Sequence, residues 1–194
     1  MPAQITAAPA PGEELSTALA LVNTEVEPRG EKVDLVPDGP SFVDWLRVRG
    51  LRAGRLGVIT DGDLEQMREL RSAIRAAFLA RAAGRAPSRA AIRQINEAAG
   101  LVPTTPRLRW DDDGPRRETH WAKGARPNDR ALAEIAVSAI TTLLGDRGGR
   151  LRLCEAHGCN RMFIADHRRR RWCSRACGDR VRVARHYRRA NQSR

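Results

Sequence analysis

The sequence contains no run of 18 apolar residues, so no stretch of it is long enough to cross a bilayer as a helix. Its opening, MPAQITAAPAPGEE, lacks the basic start and the long apolar segment of a secretory signal. The Pro/Ala content there predicts a disordered leader over residues 1–13. No cysteine precedes Cys154, which leaves most of the chain without disulfide or thiolate chemistry. Lysine is almost missing: Lys32 and Lys123 are the only two among 35 basic residues. There is no internal repeat, and residues 1–149 offer no nucleophile–base pair, no phosphate-binding glycine loop and no helix-borne metal dyad. The usual grounds for expecting an enzyme are therefore absent, and we expect a non-catalytic protein. The absence of export and membrane signals predicts a cytoplasmic location, at the nucleoid if the partner is DNA. There, clustered cysteines favour metal over disulfides.

What is present is unevenly distributed. The chain carries +12, but residues 150–194 hold 14 arginines against Glu155, Asp166 and Asp179, a net +11. Residues 1–149 are then nearly neutral, with 21 basic and 20 acidic groups. A compositional bias of the genome would act along the whole chain, so the polarity is a property of the tail. A strongly basic tail implies a polyanionic partner, most often nucleic acid.

Residues 14–145 read as a mainly helical domain with one hairpin. Leu15, Leu19 and Val22 mark a short first helix. Phe42, Trp45 and Leu46 form the inward side of a second, which stops near Gly50. Thr60 and Asp63 have the spacing of a capping box, and Leu64, Met67, Leu70, Ile74, Ala77 and Phe78 follow as an apolar stripe. Pro87-Ser88 opens a helix through Ile92 and Ile95 to Gly100. Asn128 is expected to cap another, whose buried face is Leu132, Ile135, Ala136, Ile140 and Leu143. Between these, 107-RLRWDDDGPRRETHW-121 has alternation around an Asp/Gly/Pro turn, a hairpin pattern. Trp45, Trp110 and Trp121 are expected in the core, and His120 beside Trp121 is a weaker pocket candidate. Residues 146–150 read as a linker.

The four cysteines, Cys154, Cys159, Cys173 and Cys177, are spaced C-x4-C-x13-C-x3-C. Two close pairs joined by a short connection suit one tetrahedral zinc ion with a structural role. An iron–sulfur cluster also takes four thiolates, but these spacings match neither bacterial nor plant ferredoxin patterns. His157, between two ligands, is expected to be an exposed turn residue. A unit of about 45 residues with few apolar side chains is near the lower limit for folding on a core alone. A structural zinc supplies roughly 10–16 kcal/mol in small modules, so the metal is expected to decide whether residues 151–194 fold. A turn, a strand near 161–166 and a helix from about Cys173 to Ala190 predict a small treble-clef-like zinc finger. Val181, Ala184 and Tyr187 would face its mini-core. Arg182, Arg185 and Arg189 would form one exposed stripe, with Arg168, Arg169, Arg170 and Arg171 entering from the hairpin end. Arg175, Arg180 and Arg188 complete the candidate nucleic-acid contacts, since guanidinium binds phosphate or guanine edges.

At Arg171-Trp172-Cys173-Ser174-Arg175-Ala176-Cys177-Gly178-Asp179-Arg180 the chain resembles the CGNR zinc-finger proteins. Leu19-Ala20-Leu21-Val22-Asn23-Thr24 and Phe42-Val43-Asp44-Trp45-Leu46 are similar to the opening helices of the ABATE domain that accompanies this finger. The resemblance implies a bacterial stress-related transcription regulator. Its finger would read double-stranded DNA, and its front domain would sense a small-molecule effector or form a homodimer. Asp179 stands where the family carries asparagine, and the segment before Trp172 is more arginine-rich and shorter than usual. Asn23 and Thr24, polar residues on an apolar helix, are candidate effector contacts or a structural cap. Two rival functions are RNA or ribosome association and an HNH-like nuclease built on Asp166 and His167. Such an enzyme would place an asparagine and further metal-binding histidines downstream, whereas the one histidine that follows is His186, in the basic helix.

Overall fold

The computed structural model of the chain describes residues 8–27, 30–51, 58–122 and 124–192. In chain order the elements are α1 (Thr17–Val22), β1 (Glu25–Val26), β2 (Val33–Asp34), α2 (Gly39–Val48), α3 (Asp61–Ala82), α4 (Arg89–Ala99), β3 (Thr104–Asp111), β4 (Gly114–Trp121), α5 (Pro127–Leu144), α6 (Asp146–Gly149), β5 (Leu151–Leu153), β6 (Met162–Ile164) and α7 (Arg175–Gln192). The strands form three separate antiparallel pairs, β1–β2, β3–β4 and β5–β6. The fold is mainly helical, as the periodicities require, with two short hairpins besides the long one.

The stripe on α3 is buried along its whole length and packs against α1, α4 and α5. Its start is the expected capping box: Asp63 N donates to Thr60 Oγ1, and Thr60 N donates back to Asp63 Oδ2 at 3.0 Å. Asn128, by contrast, does not cap α5. It is buried, and its Nδ2 donates to Asp63 Oδ1 at 3.0 Å, tying the first turn of α5 to that of α3. Arg126 holds the N-cap position instead. Ile92 on α4 is partly exposed, while Ile95 is buried as expected.

The front domain and the cysteine-bearing tail pack against each other. Residues 146–149 form a helical turn whose Gly148 is buried, and the β5–β6 hairpin follows directly. Successive side chains on a strand point to opposite faces. On β6, Met162 and Ile164 therefore join Leu151 in the core of the front domain, while Phe163 faces the cysteines. All three residues of β6 are buried because each face has a different cover.

Asn23 closes this seam. Its Oδ1 accepts from Met162 N at 2.9 Å, and its Nδ2 donates to Met162 O at 2.8 Å and to Glu13 Oε1 at 2.7 Å. Asn23 thus pairs with β6 as a neighbouring strand would. Thr24 is likewise engaged: its Oγ1 donates to Leu21 O and accepts from buried Arg71, whose guanidinium also forks onto Asp34. Both side chains are engaged within the protein, and Asn23 also occupies the C-cap of α1, the structural alternative to an effector contact.

Residues 1–7 lie outside the described residues, but residues 10–13 of the expected leader are packed. Ala10 is fully buried against the cysteine cluster, and Pro11 O accepts from Ile164 N at 2.8 Å. Gly12 adopts φ +94°, and a Cβ there would lie 2.7 Å from the Ile164 side chain, so only glycine allows this approach. Glu13 is buried, and its carboxylate receives Arg161 (2.7 Å) from the tail and Arg49 (3.1 Å) from the turn after α2. A buried carboxylate is tolerable only with such partners.

Replacing Asn23 with Ala should lower the unfolding free energy of the zinc-loaded chain by about 2–3 kcal/mol, because both Met162 backbone groups lose their partner in a buried site. Urea titration measures the loss. Hydrogen exchange should place the weakened protection at Met162 and its β6 neighbours.

Candidate metal centre and nucleic-acid interface

Cys154 follows β5 and Cys159 ends the turn before β6. Cys173 ends the loop after β6, and Cys177 sits on the first turn of α7. Backbone bonds fix each corner: Cys154 N donates to Arg161 O at 2.9 Å, and Cys159 N donates to Ala156 O at 3.1 Å. Ser174 Oγ accepts from Cys177 N at 3.2 Å, an N-cap that also orients the fourth ligand. This serine, immediately before a helix, was legible as a cap but was not singled out.

The four sulfurs lie within 4.8 Å of one another, with Cys159–Cys173 at 3.8 Å and Cys173–Cys177 at 3.7 Å. Thiolates roughly 2.3 Å from a tetrahedral ion are separated by about 3.8 Å. The donor set therefore fits one zinc ion. The cysteines are free thiols rather than disulfides, and the gap between them holds one ion rather than a cluster of irons and sulfides. Four protein ligands leave no position for a reacting water, so the zinc is structural.

Electrostatics within the metal-free cluster favour a divalent cation. Hydrogen bonds from the Cys159 and Cys173 thiols hold the Cys154 thiol down to about 2, so it is a thiolate. Its neighbours pay for that charge: bonding to Cys154 pushes Cys159 up to about 11, and Cys154, then Cys159, then burial push Cys173 well above the usual thiol range. One negative charge is accommodated and further ones are resisted, until a dication is there to share them.

Around this centre the candidate arginines divide by role. Arg170 is a loop staple: its Nε donates to Trp172 O, its Nη1 to Asp166 Oδ2 at 2.8 Å, and its guanidinium lies 5.8 Å from the Phe163 ring. Arg171 pairs with Glu155 through its side chain and through its backbone carbonyl. Arg182 pairs with Asp179 one turn earlier, and Arg180 Nη2 donates to Cys177 Sγ at 3.5 Å. Arg188 Nε donates to Ala184 O. The side chains of Arg168, Arg169, Arg175 and Arg185 are exposed and show no hydrogen bond or ion pair among the described residues. Arg189 is exposed on the last turns of α7.

The expected mini-core is only half realised. Val181 packs beside the cysteines, and a Cβ on Gly178 would lie 3.1 Å from the Trp172 ring, so α7 starts close against that tryptophan. Beyond Val181 every helical residue to Ala190 is exposed, including Ala184, Val183 and Tyr187. The distal helix projects without packing. His157 is exposed as expected, His120 is exposed rather than in a pocket, and Trp110, expected in the core, is 72% exposed. Trp45 and Trp121 are partly buried.

The seam changes what metal removal does. Leu151, Met162 and Ile164 pack in the front core, so zinc removal is expected to act chiefly on the loop after β6 and on α7. Stripping zinc should abolish amide protection in α7 and the 165–174 loop while β5 and β6 stay protected, as hydrogen exchange with mass spectrometry would record. Apparent zinc affinity should fall as pH is lowered and rise as it is raised. The cluster cannot carry all its thiolates without a cation, so protons must leave it for the ion to bind. Competition against a chelator of known affinity at a series of pH values checks the sign.

Residues 15–146 match the ABATE family model, described as "Putative stress-induced transcription regulator". Residues 150–190 match the model of the CGNR zinc finger. No curated protein matches the chain. With the family model covering well over half of the sequence and the tetrathiolate in place behind it, the chain belongs to the ABATE family and ends in a CGNR zinc finger.

Proposed function

We propose that this protein is a transcription regulator that binds double-stranded DNA through its zinc finger, with the front domain regulating that contact. One observation carries the reading: a metal-clamped corner projects a helix that is solvent-exposed on all sides beyond Val181 and studded with arginine. A helix of 18 residues is about 27 Å long. Its free turns match the roughly 12 Å width of the DNA major groove. Arg168 and Arg169 on the preceding loop would meet the flanking phosphates, and Arg175 and Arg185 would continue the track along the helix.

The seam supports a regulatory role for the front domain. Asn23 and Glu13 couple it to β6 and Arg161 through buried hydrogen bonds, so a displacement of α1 is transmitted to the finger. Arg182 bears on the family's asparagine position. Asp179 occupies its guanidinium and adds a negative charge to the surface that would approach phosphate.

The test is fluorescence anisotropy of the zinc-loaded chain with labelled duplex DNA over a range of salt. Neutralising Arg168, Arg169, Arg175 and Arg185 to Gln should leave zinc stoichiometry unchanged and flatten the slope of log K against log[salt] by roughly 3–4. Asp179→Asn should strengthen binding, by releasing Arg182 and removing a charge. Unaltered binding in the four-site variant would refute the assignment. Structured RNA that outcompetes duplex DNA at equal salt would move the function to RNA.

A further inference from the structure

The β3–β4 hairpin has no role in this reading, yet it is the largest element left without a core. Every residue of both strands is exposed except Asp111, Gly114 and Trp121, which are half-buried. A lone two-stranded hairpin is marginal in water, and this one is amphipathic. The register pairs Leu108 with Arg117 and Trp110 with Pro115, and Pro106 and Trp121 share their face. Leu108 is 74% and Trp110 72% exposed. The opposite face is satisfied within the hairpin, where Arg109 pairs with Glu118 and Asp111, and Arg116 with Asp111. An exposed tryptophan and leucine between two prolines have no such satisfaction and mark an interaction surface.

Charge selects the occupant. Arg107, Arg109, Arg116 and Arg117 balance Asp111, Asp112, Asp113 and Glu118, so the arm is neutral and three carboxylates crowd its tip. That tip would repel phosphate, which excludes a second nucleic-acid arm. It suits a protein surface bearing both an apolar patch and a cation. The hairpin is itself such a surface: Arg117 lies on the apolar face and has no partner among the described residues.

We propose that two copies of this chain associate through the apolar faces of their β3–β4 hairpins, packed antiparallel about a two-fold axis near Trp110. Trp110 then meets Trp110 of the second copy, and Arg117 of each copy meets Asp112 and Asp113 at the tip of the other. This is the self-complementary geometry that a two-fold contact demands. The neutral arm lets two strongly basic molecules meet away from their fingers. The faces are smaller than the roughly 1,200–2,000 Å² of a standard interface, so association is weak and concentration-dependent.

Sedimentation velocity of the zinc-loaded full chain, run up to about 100 µM, tests this. Wild type should shift from monomer towards dimer with concentration. Trp110→Glu should weaken the dimer at least about tenfold, as removal of a central aromatic anchor does. Zinc content and thermal midpoint should not change, since the side chain is exposed. Arg117→Asp should also weaken it, and adding Asp112→Arg and Asp113→Arg to that variant should restore it. The proposal fails if wild type stays monomeric throughout, if Trp110→Glu leaves the dimer intact, or if the charge exchange gives no rescue. Loss of duplex binding by Trp110→Glu with the dimer intact would make nucleic acid the occupant instead. Failure of finger-mediated DNA binding would leave the sedimentation result standing, so the two readings are separable.

Discussion

Three residues, Met162, Phe163 and Ile164, carry the architecture, because β6 contributes side chains to both cores. Its alternation sends two side chains into the helical domain and one into the cysteine cluster. Its free backbone positions are taken by Asn23 and Pro11 rather than by another long strand. A strand covered on both faces and paired at its edges cannot move independently of either partner. Whatever orientation the finger has, it is set relative to α1 and not by a flexible tether.

This arrangement divides the stabilising work. Apolar burial in the front domain holds the β5–β6 hairpin that flanks Cys154 and Cys159. The loop bearing Cys173 and the start of α7 with Cys177 have less apolar cover and rely more on the metal. Preorganising Cys154 and Cys159 reduces the conformational entropy that the ion must overcome. The loop is then braced by Arg170 on Asp166 and Phe163, and by Arg171 on Glu155. Past Val181 the helix no longer packs against the rest of the described chain.

Much of this was legible in the sequence for physical reasons that can be named. Helical stripes such as Leu64 to Phe78 repeat often enough to outweigh any single exception. The Thr60–Asp63 box and the cysteine spacings are local geometry written in a few residues. What was missed depends on long-range partners. Asn23 and Met162 are 139 positions apart, and nothing local separates a buried amide pairing with a strand from one that binds a ligand. Asn128 has the residue type of a cap, yet tertiary contact with Asp63 takes its side chain. Residues 8–13 look like a leader because Ala and Pro are small. Those small side chains are also what let the segment lie close against Ile164 and the sulfurs. Trp110 was misplaced by a composition argument, since tryptophan favours cores only where a core reaches it.

The arginine count in the tail illustrates why formal charge overstates a binding surface. Arg161 is neutralised by buried Glu13, Arg170 by Asp166, Arg171 by Glu155 and Arg182 by Asp179. Each of these pairs braces the seam, the loop or the helix rather than advertising charge. Guanidinium suits such duties because it presents a planar fork of donors and stays ionised when buried, and in the front domain Arg71 does the same on Asp34 and Thr24. Arg168, Arg169, Arg175 and Arg185 have no such carboxylate among the described residues, and they lie on the 168–169 loop and along α7. Those positions are where the metal clamp, rather than an internal carboxylate, determines the direction in which the charge points.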